Sequence, residues 1–202
     1  MPSRNLPHAP RVPLEEKYDI LLQIDDLRIA FGGVNALAGV SLAIRRGEIF
    51  SIIGPNGAGK TVLLNCISGL YKPHTGRILF EGKEIARMKP HDRARLGISR
   101  TFQKIELFSG MTVLDNIRLG RHIHMKTGLL DGTLYLGRAA REEIEQREFI
   151  EREIIDLLEI AHIRDTVVGM LPYGLQKRVE LARALALNPR VILLDEPMAG
   201  LN

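Results

Sequence analysis

Apolar residues recur at every second position early in the chain and at helical spacing later, so strands are expected first and helices afterwards. Residues 1–18 follow neither period and hold four prolines, the pattern of a mobile tail. Ile20–Ile24 is a β-type run that continues through Leu27 to Phe31, and Gly32-Gly33 turns the chain. Val40, Leu42 and Ile44 alternate with their neighbours as in a half-buried strand. Arg46-Gly47-Glu48 then leads into Ile49–Ile53, an apolar run expected to be a strand, and from Val62 through Ile67 and Leu70 the spacing becomes helical. Lys72–Gly76 interrupts it, and Arg77–Phe80 reads as a further strand closed by Glu81-Gly82.

The second half is mostly helical in pattern. His91–Leu96 predicts a helix, Ile98–Phe102 a short strand, and Met111–Leu119 a helix with Thr112 as N-cap and Val113, Leu114 and Ile117 on its apolar side. Arg121–Leu136 is glycine-spotted and reads as a loop with short helical pieces. Arg138–Ala161 predicts one long amphipathic helix with Ile150, Ile154, Leu157, Leu158 and Ala161 as its stripe. Leu175–Leu187 predicts another, stopped by Asn188-Pro189. Arg190–Leu194 is apolar after its first residue, as expected of a buried parallel strand.

Composition adds limits. A 202-residue chain suits one sizeable domain, or one with an inserted subdomain. The single cysteine, Cys66, excludes an internal disulfide framework and sits on an apolar helical stripe, a core position. The net charge of +4 is mild and its lysines and arginines are scattered, which suits phosphate ligands or an anionic membrane surface and gives no nucleic-acid footprint. No apolar run is long enough to span a bilayer, and no secretory signal pattern is present.

The candidate chemistry begins at GPNGAGKT, Gly54–Thr61, between the expected strand and the expected helix. In that context a G-x-x-x-x-G-K-[ST] match is a phosphate loop. Gly57 and Gly59 let the backbone curl so that main-chain N–H groups converge on one anion, beside the positive end of the following helix. Gly54, Pro55, Asn56, Gly57, Ala58, Gly59, Lys60, Thr61 and Val62 are therefore the candidate cradle for a nucleoside triphosphate. Lys60 can reach the outer phosphates, and the Thr61 hydroxyl can bind Mg²⁺. Val191–Pro197, VILLDEP, ends an apolar strand in two carboxylates. Ligands in parallel α/β sheets bind at that strand edge, so Asp195 is a candidate for Mg²⁺ and Glu196 for orienting or deprotonating an attacking water.

Taken with Gln103 and LPYGLQKR, Leu171–Arg178, this ordered set resembles an ATP-binding-cassette ATPase over nearly all of residues 20–202. The resemblance implies an α/β fold with a P-loop NTPase, RecA-like parallel core, an N-terminal antiparallel β part and an inserted α-helical subdomain. The core would be residues 19–103 and 188–202, and the helical subdomain with the signature motif 104–187. It implies ATP and Mg²⁺ as cofactors. Phe31 would stack on adenine, Gln103 would sense Mg²⁺ and water, and Gly174 would face the γ-phosphate of a partner subunit's ATP. It also implies a head-to-tail pair of ATPase subunits, homo- or heterodimeric, on the cytoplasmic face of the inner membrane. Permease subunits, and indirectly a substrate-binding protein, complete the expected partners; nucleic acid is not among them.

The signature departs from the common L-S-G-G-Q form: Pro172 replaces the serine, Tyr173 the first glycine and Leu175 the glutamine. Together with GISRTFQ, QKRVELARALA and DEPMAGLN, LPYG resembles the ATP-binding subunits of branched-chain amino-acid importers. Import of another amino acid or of urea, lipid export, and a non-hydrolytic nucleotide-binding fragment remain alternatives, and a chromosome-maintenance ATPase is the reading from another class. The family's switch histidine follows the acid pair, whereas the last histidine here is His162. The expectation is thus a C-terminally shortened chain that binds ATP weakly and has little hydrolytic activity.

Overall fold

The computed structural model describes residues 19–122 and 144–196. The expected tail (1–18), most of the Arg121–Leu136 loop, the start of the Arg138–Ala161 helix and the stretch from Pro197 onward lie outside the described residues. The chain divides into two compact units, Met1–Pro90 and His91–Asn202.

The first unit is built on a four-stranded antiparallel sheet, in the order β2-β1-β3-β4. Its strands are β1 (Ile20–Phe31), β2 (Val34–Arg45), β3 (Thr75–Phe80) and β4 (Lys83–Glu84). Leu22 and Ile24 are buried, and so are Leu27 and Ile29, so the inward phase slips by one residue between the two pairs. A bulge absorbs the slip: β1 advances from Ile24 to Leu27 while β2 moves only from Leu42 to Val40. Asp26 occupies it at φ 45°, and its N–H donates to Ser41 Oγ at 2.9 Å. The Arg28 guanidinium, 2.7 Å from the Asp26 carboxylate, holds that exposed carboxyl below the usual range. β3 passes so close to the bulge that a Cβ on Gly76 would lie 2.5 Å from the Asp26 carbonyl oxygen. Helix α1 (Lys60–Ser68) buries Leu63, Leu64, Cys66 and Ile67, which gives Cys66 the core position expected of it.

One expected strand of this unit is absent. Residues 48–55 pair with no other strand among the described residues, and Ile49 and Ile53 are 97% and 93% exposed. A strand exists only through its ladder, and among the described residues no ladder reaches residues 48–55.

The second unit contains a parallel pair, β5 (Ile98–Arg100) with β6 (Val191–Leu193), in register Ile98↔Val191. Helix α2 (Pro90–Arg95) precedes β5. Parallel pairing of β6 is as expected, but Val191 and Ile192 are only partly buried, and Leu193 alone of the three is in the core. Helix α3 (Val113–Arg121) starts at Thr112, whose Oγ1 accepts the Asp115 N–H at 3.1 Å. Helix α5 (Tyr173–Ala186) packs on α3 so tightly that a Cβ on Gly120 would meet the Arg183 carbonyl oxygen at 2.4 Å. Burial in this packing lowers the Arg183 pKa from its ordinary value, against the opposing pull of Glu180 and Glu106.

The long helix expected to reach Ala161 is shorter. Helix α4 covers 144–155, and its last turn, Glu151–Ile155, is a π-turn. Five-residue hydrogen bonds, Asp156 N–H to Glu151 C=O and Ile160 N–H to Ile155 C=O, rotate the stripe. Ile150, Ile154 and Ile155 are therefore the buried set, while Leu157 is 67% exposed and Ala161 lies outside the helix at the surface. With Val113, Ile117, Val179, Ala182 and Ala186 they form the core between α3, α4 and α5.

Candidate nucleotide site

The phosphate loop leads directly into α1. Gly57 and Gly59 stand at φ 81° and 88°, the left-handed region that L side chains rarely adopt, and Gly59 is the N-cap of the helix. The loop's first turn is closed by the Ala58 N–H on the Pro55 carbonyl at 3.2 Å. Lys60 folds back over this curl: its ammonium donates to the carbonyl oxygens of Gly54 at 2.7 Å and Pro55 at 2.9 Å. A cation held by neutral carbonyls beside a helix N-terminus is matched to an oxyanion, which would offer it stronger, charge-assisted acceptors. Pro55, Asn56, Gly57, Ala58 and Thr61 are exposed; Gly54, Gly59, Lys60 and Val62 are half-buried. Thr61 is in the first turn of α1, where a hydroxyl donor for Mg²⁺ would have to be. In this first residue set the chemistry fits a triphosphate.

Phe31 ends β1 with 45% of its surface exposed, and its ring meets Tyr71 edge-on, centroids 5.2 Å apart. Tyr71 has no signal in the sequence, because nothing local connects it to a residue at the end of a strand forty positions earlier.

In the second unit, β5 and β6 bring a second set together at their C-terminal ends. Gln103 Nε2 donates to Glu196 Oε2 at 3.0 Å, and both residues are exposed. Glu196 itself holds φ 49°, an unusual conformation for a residue with a side chain. Asp195 is different. It is 4% exposed, and its carboxylate takes a 2.9 Å charge-assisted bond from Arg100 Nη2, both side chains being about 5% exposed. For Asp195 to bind Mg²⁺, even through water, it would have to share or leave that arginine. Sequence reasoning did not find Arg100, whose only signal is a cation in a short buried strand.

Gly174 lies in the first turn of α5, with Pro172 at the N-cap. The Pro172 carbonyl accepts N–H groups from Leu175 at 3.0 Å and Gln176 at 3.1 Å. An N-cap residue contributes a carbonyl, not an N–H, to its helix, so proline there removes no helical bond; it removes only the side-chain hydroxyl. Lys177 and Glu180 were also missed. They are three apart on the same buried face as Ala184, and a charged pair on an apolar stripe was the available signal.

Comparison with known proteins decides the family. A family model described as ABC transporter matches residues 37–199, which covers β2 from its fourth residue, the phosphate loop, the signature and the acid pair. This chain belongs to the ABC transporter family. Among curated ABC relatives, the high-affinity branched-chain amino acid transport ATP-binding protein BraF of Pseudomonas aeruginosa is 40% identical, covering 90% of this chain and 71% of its own. The corresponding protein LivG of Escherichia coli K12 is 42% identical with the same coverage. Among solved structures, the ADP conformation of an ATP-binding cassette of an ABC transporter superposes with a TM-score of 0.73 at 38% identity, covering 90% of this chain and 70% of that one. A dimeric, post-hydrolysis cassette bound to ADP and Pi superposes at 0.72 and 27% identity, covering 90% and 76%. The fold is thus that of the ABC ATPase cassettes. Among the described residues no helix is long and apolar enough to cross a membrane.

Proposed function

We propose that this protein is the ATP-binding and hydrolysing subunit of an ABC importer for branched-chain amino acids. The observation that carries the nucleotide reading is the phosphate loop itself: two left-handed glycines, a helix N-terminus and a lysine ammonium all held within eight residues. The substrate class is supported by the relatives, which are named as branched-chain amino acid transport ATP-binding proteins. Residues 19–103 and 188–202 act as the ATPase core and 104–187 as the helical subdomain. The working form pairs two such subunits head to tail against permease subunits on the cytoplasmic membrane face.

In this reading Gly54–Val62 cradle the phosphates, Lys60 neutralises the outer ones, and Phe31 supports the base. Thr61 in the first unit, and Gln103 and Asp195 in the second, are the residues that would hold Mg²⁺, which when bound would supply positive charge to neutralise the phosphates. Glu196 accepts a proton from the water that attacks the γ-phosphorus in line as the bridging P–O bond breaks and ADP leaves, while Gln103, bonded to Glu196, orients that water. Gly174 approaches the γ-phosphate of the partner's nucleotide from the N-terminus of α5. A second reading, a module that binds nucleotide without hydrolysing it, is favoured by one feature: Asp195 is buried in an ion pair with Arg100.

Separate measurements of ATP affinity and hydrolysis distinguish the two. Lys60→Ala is expected to weaken ATP binding at least about tenfold, through the lost charge-assisted contacts. Glu196→Gln is expected to keep ATP affinity while hydrolysis falls on the order of 100-fold or more. Hydrolysis that persists in Glu196→Gln would defeat the assignment of the base. An unaltered chain that binds ATP and never turns it over would establish the second reading.

A further inference from the structure

We infer that Lys177 and Glu180 are positioning residues: a buried ion pair on α5 that grips the main chain at Phe102–Gln103 and so sets the carboxamide of Gln103 against Glu196. The inference rests on the ATPase reading above.

The pair makes three hydrogen bonds to one short piece of backbone and a fourth between its own two members. Glu180 Oε1 accepts the Phe102 N–H at 3.1 Å, and Glu180 Oε2 takes the Lys177 ammonium at 3.0 Å. The same ammonium donates to the carbonyl oxygens of Phe102 at 3.0 Å and Gln103 at 3.3 Å. With side chains 7% and 2% exposed, neither partner has water to fall back on. A buried ion pair is a poor source of stability, because well-packed apolar residues often do as well. What apolar residues could not do is satisfy one N–H and two C=O groups of the loop. The device therefore specifies where residues 102 and 103 lie.

Its position on the helix gives that specification a consequence. Lys177 is three residues after Gly174, and the Tyr173 ring at the helix start lies 5.9 Å from the ammonium. Any shift of the first turn of α5 is thus transmitted through one helical turn and the ammonium's bonds to the Phe102 and Gln103 carbonyls. The Gln103 side chain, 3.0 Å from Glu196 Oε2, moves with it.

The test uses the full chain with four variants: Lys177→Met, Glu180→Gln, Gln103→Ala and the double variant Lys177→Met/Gln103→Ala. ATP affinity is measured by equilibrium binding, and chemistry by single-turnover hydrolysis. Misplacing a catalytic group by about 1 Å costs on the order of 100-fold, so Lys177→Met and Glu180→Gln are each expected to slow hydrolysis about 10- to 100-fold. ATP affinity should stay within about twofold of the unaltered chain. If the pair acts through Gln103, the double variant is no slower than Gln103→Ala beyond about twofold. A merely structural role would multiply the two losses, or weaken ATP binding in parallel, and either result overturns the inference. Should Lys177→Met fail to fold, Lys177→Arg keeps the buried charge and is read in the same way against Gln103→Ala. Absence of any Glu196-dependent hydrolysis in the unaltered chain would instead remove the ATPase reading, and this inference with it.

Discussion

The two units build their chemistry by opposite means. In the first, the phosphate loop is a main-chain device: glycine conformation, helix end and lysine ammonium lie within one continuous stretch, and the lysine bonds carbonyls only five and six residues away. In the second, the chemistry depends on side chains that meet across long separations. Gln103 reaches Glu196 over 93 positions, Arg100 reaches Asp195 over 95, and Lys177 reaches Phe102 over 75. A local curl can form before the rest of the unit is ordered, whereas the second arrangement exists only once β5, β6 and α5 are packed. The first should tolerate packing changes and fail on backbone changes; the second should do the reverse.

The largest effect that could break this contrast is expected at Arg100. Removing its guanidinium in Arg100→Ala takes away the cation beside a carboxylate that is 4% exposed, and breaking a buried pair from one side costs about 3–5 kcal/mol. Urea unfolding of the variant measures the loss. A change below about 1 kcal/mol, the range of an exposed pair, would mean that Asp195 finds solvent or another partner readily and that this site is not fixed by packing.

The same contrast explains what could be read in the sequence. Gly54–Thr61 was legible because every determinant of a phosphate loop is local, and the Thr112 cap was legible because its bond spans three residues. Pairing across 75 to 95 positions leaves no periodic trace, so Arg100, Lys177 and Glu180 escaped although the motifs around them did not. The Ile49–Ile53 run failed for a related reason: apolar, β-prone residues are necessary for a strand but a ladder partner decides it. The Arg138–Ala161 stripe failed at Leu157 because a π-turn adds one residue to the repeat, which no 3.6-residue count anticipates. The fold class and the order of the motifs depend on neither detail, and both were readable.

Within the first unit the two left-handed glycines sharpen the comparison. Gly59 combines φ 88° with a close approach, since a Cβ there would lie 2.5 Å from the Ala36 carbonyl oxygen of β2. Conformational strain and overpacking therefore act together, and Gly59→Ala should destabilise by about 3 kcal/mol. Thermal or urea unfolding checks it, with a loss under about 1 kcal/mol as the contrary result.

Gly57 isolates the conformational part alone. It holds φ 81°, and a Cβ placed there would have nothing within 4 Å, so Gly57→Ala meets no neighbour and feels only the left-handed penalty, about 1 kcal/mol. That is small for stability but large for a loop whose task is to aim N–H groups. If the alanine relaxes toward negative φ, the curl opens and ATP affinity should fall about tenfold, the equivalent of 1.4 kcal/mol. Asparagine visits the left-handed region far more readily than alanine, so Gly57→Asn should bind ATP better than Gly57→Ala while being no smaller. Equal ATP affinity in the two variants would show that conformation at residue 57 does not set the cradle, and the main-chain account of the first unit would then rest on Gly59 alone.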